Sequence, residues 1–131
     1  MSNSTDDLTG IKMIRQGWPM EDPAYNTQRV IEAAAAISEL WAYLRSALAG
    51  NNLLADCSTA VELLSGLATA SSRAWDVLDG MCLDLGSTVD PDVRSNIRRS
   101  LDSAAYAQSV AQEDLSHAAG WVAHSQQLRA S

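Results

Sequence analysis

The chain has 131 residues, the length of one domain that can bury a real core without disulfides or metals. Nine Lys and Arg face sixteen Asp and Glu, a formal net charge of −7, which argues against general attraction to nucleic acid or to anionic membranes, since both are polyanions. A hydrophobic fraction of 47% argues against wholesale disorder, and no stretch approaches the roughly 18 consecutive apolar residues of a membrane span.

Residues 1–7 are polar and acidic, the reverse of a signal peptide, and read as a disordered tail of a cytoplasmic protein. In 8–22, Leu8, Ile11, Met13, Ile14, Trp18 and Met20 are apolar, while Gly10, Gly17 and Pro19 interrupt any helix. This segment is expected to be an irregular arm, too apolar to be left in water.

The first helix is predicted over 23–49. Asp22 can cap it, and Pro23 suits the first helical position, where no N–H is needed. Val30, Ala34, Ile37, Trp41, Leu44 and Leu48 recur in alternating steps of four and three, a helical stripe with heptad spacing. Gly50 followed by Asn51 ends it.

The second helix is predicted over 52–85, with the stripe Leu54, Cys57, Val61, Leu64, Ala68, Ser71, Trp75, Leu78, Cys82 and Leu85. Leu53, Leu63, Leu67, Val77 and Met81 widen the apolar face, as a helix touching two neighbours requires. The run 68–72 is the expected kink. Cys57 and Cys82 lie roughly 37 Å apart along a continuous helix, so they cannot bridge each other within one chain. They read as buried, reduced thiols.

The third helix is predicted over 91–128. Asp90 caps it, Pro91 opens it, and Asp92 lies near its positive end. Its core stripe is Ile97, Leu101, Ala104, Gln108, Ala111, Leu115, Ala118 and Val122.

Connections of about two and about four residues force antiparallel neighbours. The expected architecture is therefore all-α. Three long antiparallel helices form an up-down-up bundle with coiled-coil-like packing over 23–131, and the tail and irregular arm occupy 1–22. Folding the helices back about their turns sets Trp41, Val61 and Leu115 in one layer and Trp75 against Leu101. The tip of the second hairpin (Met81, Leu85, Val89, Val93) then lacks a neighbour, and the arm residues Ile11, Met13, Ile14 and Trp18 are expected to cover it, in this chain or in a partner.

Arg94, Arg98 and Arg99, with Arg73, form a basic cluster. The same register brings Arg98 near Asp76 and Asp79 and Arg94 near Asp84, so intramolecular pairing is the leading reading and phosphate contact the alternative. His117 and His124 share a face but are separated by about 10 Å along the axis, too far to share one metal ion. No Glu-X-X-His pair, Gly-X-Ser-X-Gly elbow or other catalytic pattern occurs; no enzyme activity, cofactor or metal is expected. Tyr106, Val110, His117, Trp121, His124 and Leu128 make a second, mixed stripe on the third helix. It reads either as a partner surface, where Trp and Tyr are favoured, or as the flank of a wide core stripe.

A single lysine beside eight arginines, abundant Ala and no Phe match a GC-rich bacterial source. The Trp-X-Gly turn of the helical-hairpin family of small secreted bacterial proteins does not occur, and no family resemblance is identified. The expected function is a non-enzymatic protein–protein interaction or assembly module that forms homo-oligomers, most simply a dimer. One alternative is a nucleic-acid-associated regulator using Arg94, Arg98 and Arg99. Another is a small-ligand-binding bundle with a pocket lined by Trp41, Trp75 or Trp121.

Overall fold

The computed structural model describes residues 9–20, 26–85 and 88–130. Every regular element among them is an α-helix: α1 (Thr9–Gly17), α2 (Thr27–Leu48), α3 (Cys57–Leu85) and α4 (Pro91–Ala130). The expected tail at 1–7, the Asp22–Pro23 start and Gly86–Ser87 of the second turn lie outside the described residues. Among those described, no helix is long and apolar enough to cross a membrane. The chain divides into two units, Met1–Asn51 and Asn52–Ser131.

In the first unit the arm is helical over Thr9–Gly17, not irregular. The glycines fall where a helix tolerates them. Gly10 sits in the first turn, whose N–H groups lack intrahelical partners anyway, and Gly17 is the last residue. The N–H of Trp18 still reaches the Ile14 carbonyl at 2.8 Å, and Pro19 follows, where it breaks nothing. Helix α2 begins at Thr27, later than the expected 23, because Asn26 caps it. The Asn26 backbone is extended, and its side-chain oxygen accepts the Arg29 N–H at 2.9 Å. This satisfies one of the orphan donors at the helix start.

Trp18 ties the arm to this cap. Its indole Nε1 donates to the Arg29 carbonyl at 3.0 Å, and the Arg29 guanidinium lies 5.2 Å from the ring centroid, within cation–π range. Glu32, one turn on, holds that guanidinium at 3.2 Å.

After α2 the chain does not re-enter a helix at 52. Gly50 (φ 73°) and Asn52 (φ 51°) both adopt left-handed backbone, which no helix continues through. Asp56 then provides the start. Its carboxylate accepts the Ser58 N–H at 3.4 Å and the Thr59 hydroxyl at 3.1 Å. Leu54, expected on the helical stripe, and Leu53, expected on the set that widens it, therefore lie in the connection. A link this long does not force its flanking helices to be antiparallel neighbours.

The second unit is an antiparallel hairpin of α3 and α4. Helix α3 runs unbroken through the expected kink, and the Thr69 hydroxyl bonds back to the Ser65 carbonyl at 3.1 Å. The α3 stripe faces α4 except at Trp75, which is exposed: Cys57, Val61, Leu64, Leu78, Cys82 and Leu85 are half-buried and Ala68 and Ser71 buried. Small side chains make the core. The buried residues are Ala60, Ala68 and Ser71 of α3 and Ala105 and Ala119 of α4; among the described residues no side chain is fully buried. Alanine at a helix contact permits close backbone approach but removes little apolar area from water.

The hairpin register differs from the expected one. Cys82 lies against Arg98 and Asp102, and Ser72 shares a groove with Gln112. Trp75 is accordingly not set against Leu101. The reason lies in the turn. The N–H groups of Thr88 and Val89 both bond to the Leu85 carbonyl, at 3.1 and 3.2 Å, which keeps Val89 within reach of the end of α3 shortly before Pro91 starts α4. The start of α4 therefore overhangs α3, and the pairing slips toward the α4 C-terminus. Asp90 caps α4 as predicted, accepting the Asp92 N–H at 2.9 Å.

Candidate interaction surface

The face that α4 turns to α3 is Ile97, Leu101, Ala105, Gln108, Gln112, Leu115, Ala119 and Val122, all buried or half-buried. The expected stripe is displaced slightly: Ala104 is exposed and Ala105 is buried. At about 100° per residue, the mixed stripe Tyr106, Val110, His117, Trp121, His124 and Leu128 then lies about 180° away, on the far side of α4. It is not the flank of the core stripe. Tyr106 is 71% exposed, Trp121 72% and Leu128 62%. The Trp121 and His124 rings meet edge to face, 6.0 Å between centroids at 72°, which holds the indole on this face.

Other apolar faces are also uncovered. On α2, Val30, Ile37 and Trp41 of the predicted core stripe are all more than half exposed. On α3, Val77 and Met81 of the second apolar set are exposed, as are Trp75 and Leu83. At the hairpin tip Leu85 and Val89 are half-buried, whereas Met81 and Val93 are exposed. Of the arm residues, Ile11, Met13 and Ile14 are exposed, while Trp18 is half-buried against Arg29.

The arginines gather at the start of α4 around an open groove of about 470 Å³ lined by Pro91, Arg94, Ser95, Arg98, Arg99 and Asp102. Arg98 and Arg99 are exposed and Arg94 half-buried. The Arg94 Nε is buried with no hydrogen-bond partner. Among the described residues, none of the three makes an ion pair within 4.0 Å; the pair at that distance is Arg29–Glu32. The expected pairing of Arg98 with Asp76 and Asp79 is not formed, because the slipped register moves Arg98 to the level of Cys82.

That slip creates a contact invisible to sequence periodicity. The Cys82 thiol donates to the Asp102 carboxylate at 3.3 Å and lies 3.7 Å from the Arg98 carbonyl. Partial burial, then the Asp102 carboxylate, push the thiol pKa up. Both cysteines are free and half-buried. Among the described residues no group of three or more His, Cys, Asp or Glu side chains could hold a metal ion. A second groove, about 600 Å³, runs beside the small residues of the hairpin, including Ala68, Thr69, Ser72 and Ser116. Neither groove is lined by Trp41, Trp75 or Trp121. No family model, curated protein or solved structure matches the chain.

Proposed function

We propose that the protein is a non-enzymatic, self-associating helical interaction module. What carries this reading is the mismatch between pattern and burial. Heptad-spaced apolar stripes occupy α2, α3 and α4, yet the buried residues among those described are four alanines and a serine, while Trp41, Val77, Tyr106 and Trp121 are exposed to water. Such faces mark association sites. In the associated state α2, α3 and α4 pack up-down-up in coiled-coil fashion. Ile11, Met13 and Ile14, anchored through Trp18, cover Met81 and Val93 at the hairpin tip, in the same chain or in another. The acidic, reduced-cysteine chain acts in the cytoplasm.

Thermal unfolding followed by circular dichroism from micromolar to millimolar protein tests the reading. Association stabilises by mass action, so the midpoint rises with concentration. A midpoint independent of concentration over that range counts against it.

A second reading, contact of the α4 start with a nucleic-acid phosphate, draws support from the absence, among the described residues, of ion pairs at Arg94, Arg98 and Arg99. Asp102 in the same groove and the net charge of −7 weigh against it. An electrophoretic shift at low ionic strength, lost on Arg98→Ala and with added salt, supports this reading; no shift dismisses it.

A further inference from the structure

The groove at the start of α4 holds more positive charge than the chain around it balances. Its lining comes from two neighbouring rows of one helix, Pro91, Ser95 and Arg99 beside Arg94, Arg98 and Asp102. Residues four apart stack on one face, so three guanidiniums share one space of about 470 Å³. Like charges brought together repel unless an opposite charge lies between them. Among the described residues none of the three arginines makes an ion pair. Asp102 is the one carboxylate in the lining, and it already accepts the Cys82 thiol at 3.3 Å. Three guanidiniums less one carboxylate leave two positive charges. The Arg94 Nε is also buried with no hydrogen-bond partner, whereas nearly all buried donors have one.

We infer that this groove binds a small phosphate dianion, free or carried as a monoester on a small molecule. The inference does not depend on the self-association proposed above. It takes the groove of the second reading and assigns it a different ligand.

The chemistry of the lining suits a phosphate. A guanidinium stays charged and presents its N–H groups as a planar fork that matches two phosphate oxygens. Arg94 is the preorganised member. It shares a narrow crevice with Leu85, Val89 and Ile97 at the end of α3, so less freedom is lost when the ligand arrives. A phosphate oxygen supplies the acceptor that its Nε lacks. Arg98 and Arg99 are exposed and free to close on the remaining oxygens.

Size and charge favour a small ligand over a polymer. The volume falls in the range of about 300–1,000 Å³ typical of small-molecule sites. A nucleic acid would draw a row of phosphates past a chain whose net charge is −7, at a cost that grows with each phosphate. A single dianion meets the local excess alone, since charges beyond about 10 Å are screened. A carboxylate carries one charge and balances half of that excess.

Nitrogen-15 NMR of the full chain provides the test. Inorganic phosphate, phenyl phosphate, acetate and a single-stranded oligonucleotide are titrated separately at about pH 8, where phosphate and its monoesters are dianions. Sodium chloride holds the ionic strength constant. Phosphate or phenyl phosphate is expected to shift the Arg94 Nε–H signal saturably, and acetate to bind at least about 10-fold more weakly. Arg98→Ala and Arg99→Ala, their helicity checked by circular dichroism, are each expected to weaken binding at least about 10-fold. Arg94→Lys keeps the charge without the fork and is expected to weaken it too. Arg73→Ala, in the other groove, is expected to change nothing. Tighter binding of phenyl phosphate than of phosphate identifies an organic monoester as the ligand; otherwise it is free phosphate. No saturable shift with either, a response that acetate reproduces, or an affinity that Arg98→Ala leaves unchanged overturns the site. An oligonucleotide that binds more tightly than both overturns the small ligand in favour of nucleic-acid contact. Self-association is read separately and stands under each of these outcomes.

Discussion

The Cys82 thiol and the Asp102 carboxylate meet across the α3–α4 hairpin at 3.3 Å. The contact joins two residues twenty positions apart in sequence and reports the register of the hairpin, because it exists only if α4 has slipped past its simplest alignment with α3.

Asp102→Asn removes an acceptor charge that favours the protonated thiol, so the Cys82 pKa falls and its alkylation at mildly alkaline pH becomes faster. Iodoacetamide labelling with peptide mass spectrometry reads this directly, with Cys57 as internal reference. An unchanged or slower Cys82 rate contradicts the contact. The sign for stability follows from the same shift. The folded thiol holds its proton more tightly than the unfolded one, whose value is near 9.0. Its contribution is fully present below that value and is lost as pH rises through the raised folded value. The native chain therefore loses more stability than Cys82→Ala on going above pH about 9. Urea unfolding at neutral and alkaline pH measures the difference.

The α3–α4 contact is built from small side chains, so enlarging one is harmful. Ala105→Leu and Ala68→Leu each force the helices apart and are expected to destabilise by about 1–3 kcal/mol. The same change at Ala107, exposed on α4, is expected to be nearly neutral. Urea melts at fixed protein concentration separate the two classes. Equal effects at buried and exposed alanines contradict the interface.

Gly66 and Gly80 lie within α3, and a Cβ at either would meet nothing within 4 Å. Gly66→Ala and Gly80→Ala are each expected to stabilise by up to about 1 kcal/mol through backbone propensity. Thermal melts measure this. A loss of stability at either glycine shows that its bare surface is covered in the assembled protein.

The parts of the fold legible in the sequence are those decided locally. Asp90, Pro91 and Asp92 predict the start of α4 because capping involves neighbours in sequence, and α4 begins there. The alternation from Cys57 to Leu85 predicts the α3 face because one helix carries all of it. Where a local signal competes with another, the reading fails. Leu53 and Leu54 keep the helical spacing, yet left-handed backbone at Gly50 and Asn52 postpones α3 to Cys57. Gly10 and Gly17 suggest an irregular arm, yet both fall at the ends of α1.

Long-range features were not legible at all. The Cys82–Asp102 contact and the position of Arg98 beside Cys82 depend on how the two helices align across the turn, which shifts every pairing along the hairpin. The outward stripe of α4 was visible as a pattern. Its position opposite α3 required knowing that Ala105, and not Ala104, points inward.

Sedimentation equilibrium of the native chain over a wide concentration range separates a self-associating protein from a monomer. A monomer has a mass of 14.0 kDa. The expected mass rises with concentration toward twice that value, and a Trp121→Ala protein stays nearer the monomer at the same concentrations. A mass of 14.0 kDa at every concentration, with helicity intact, contradicts it.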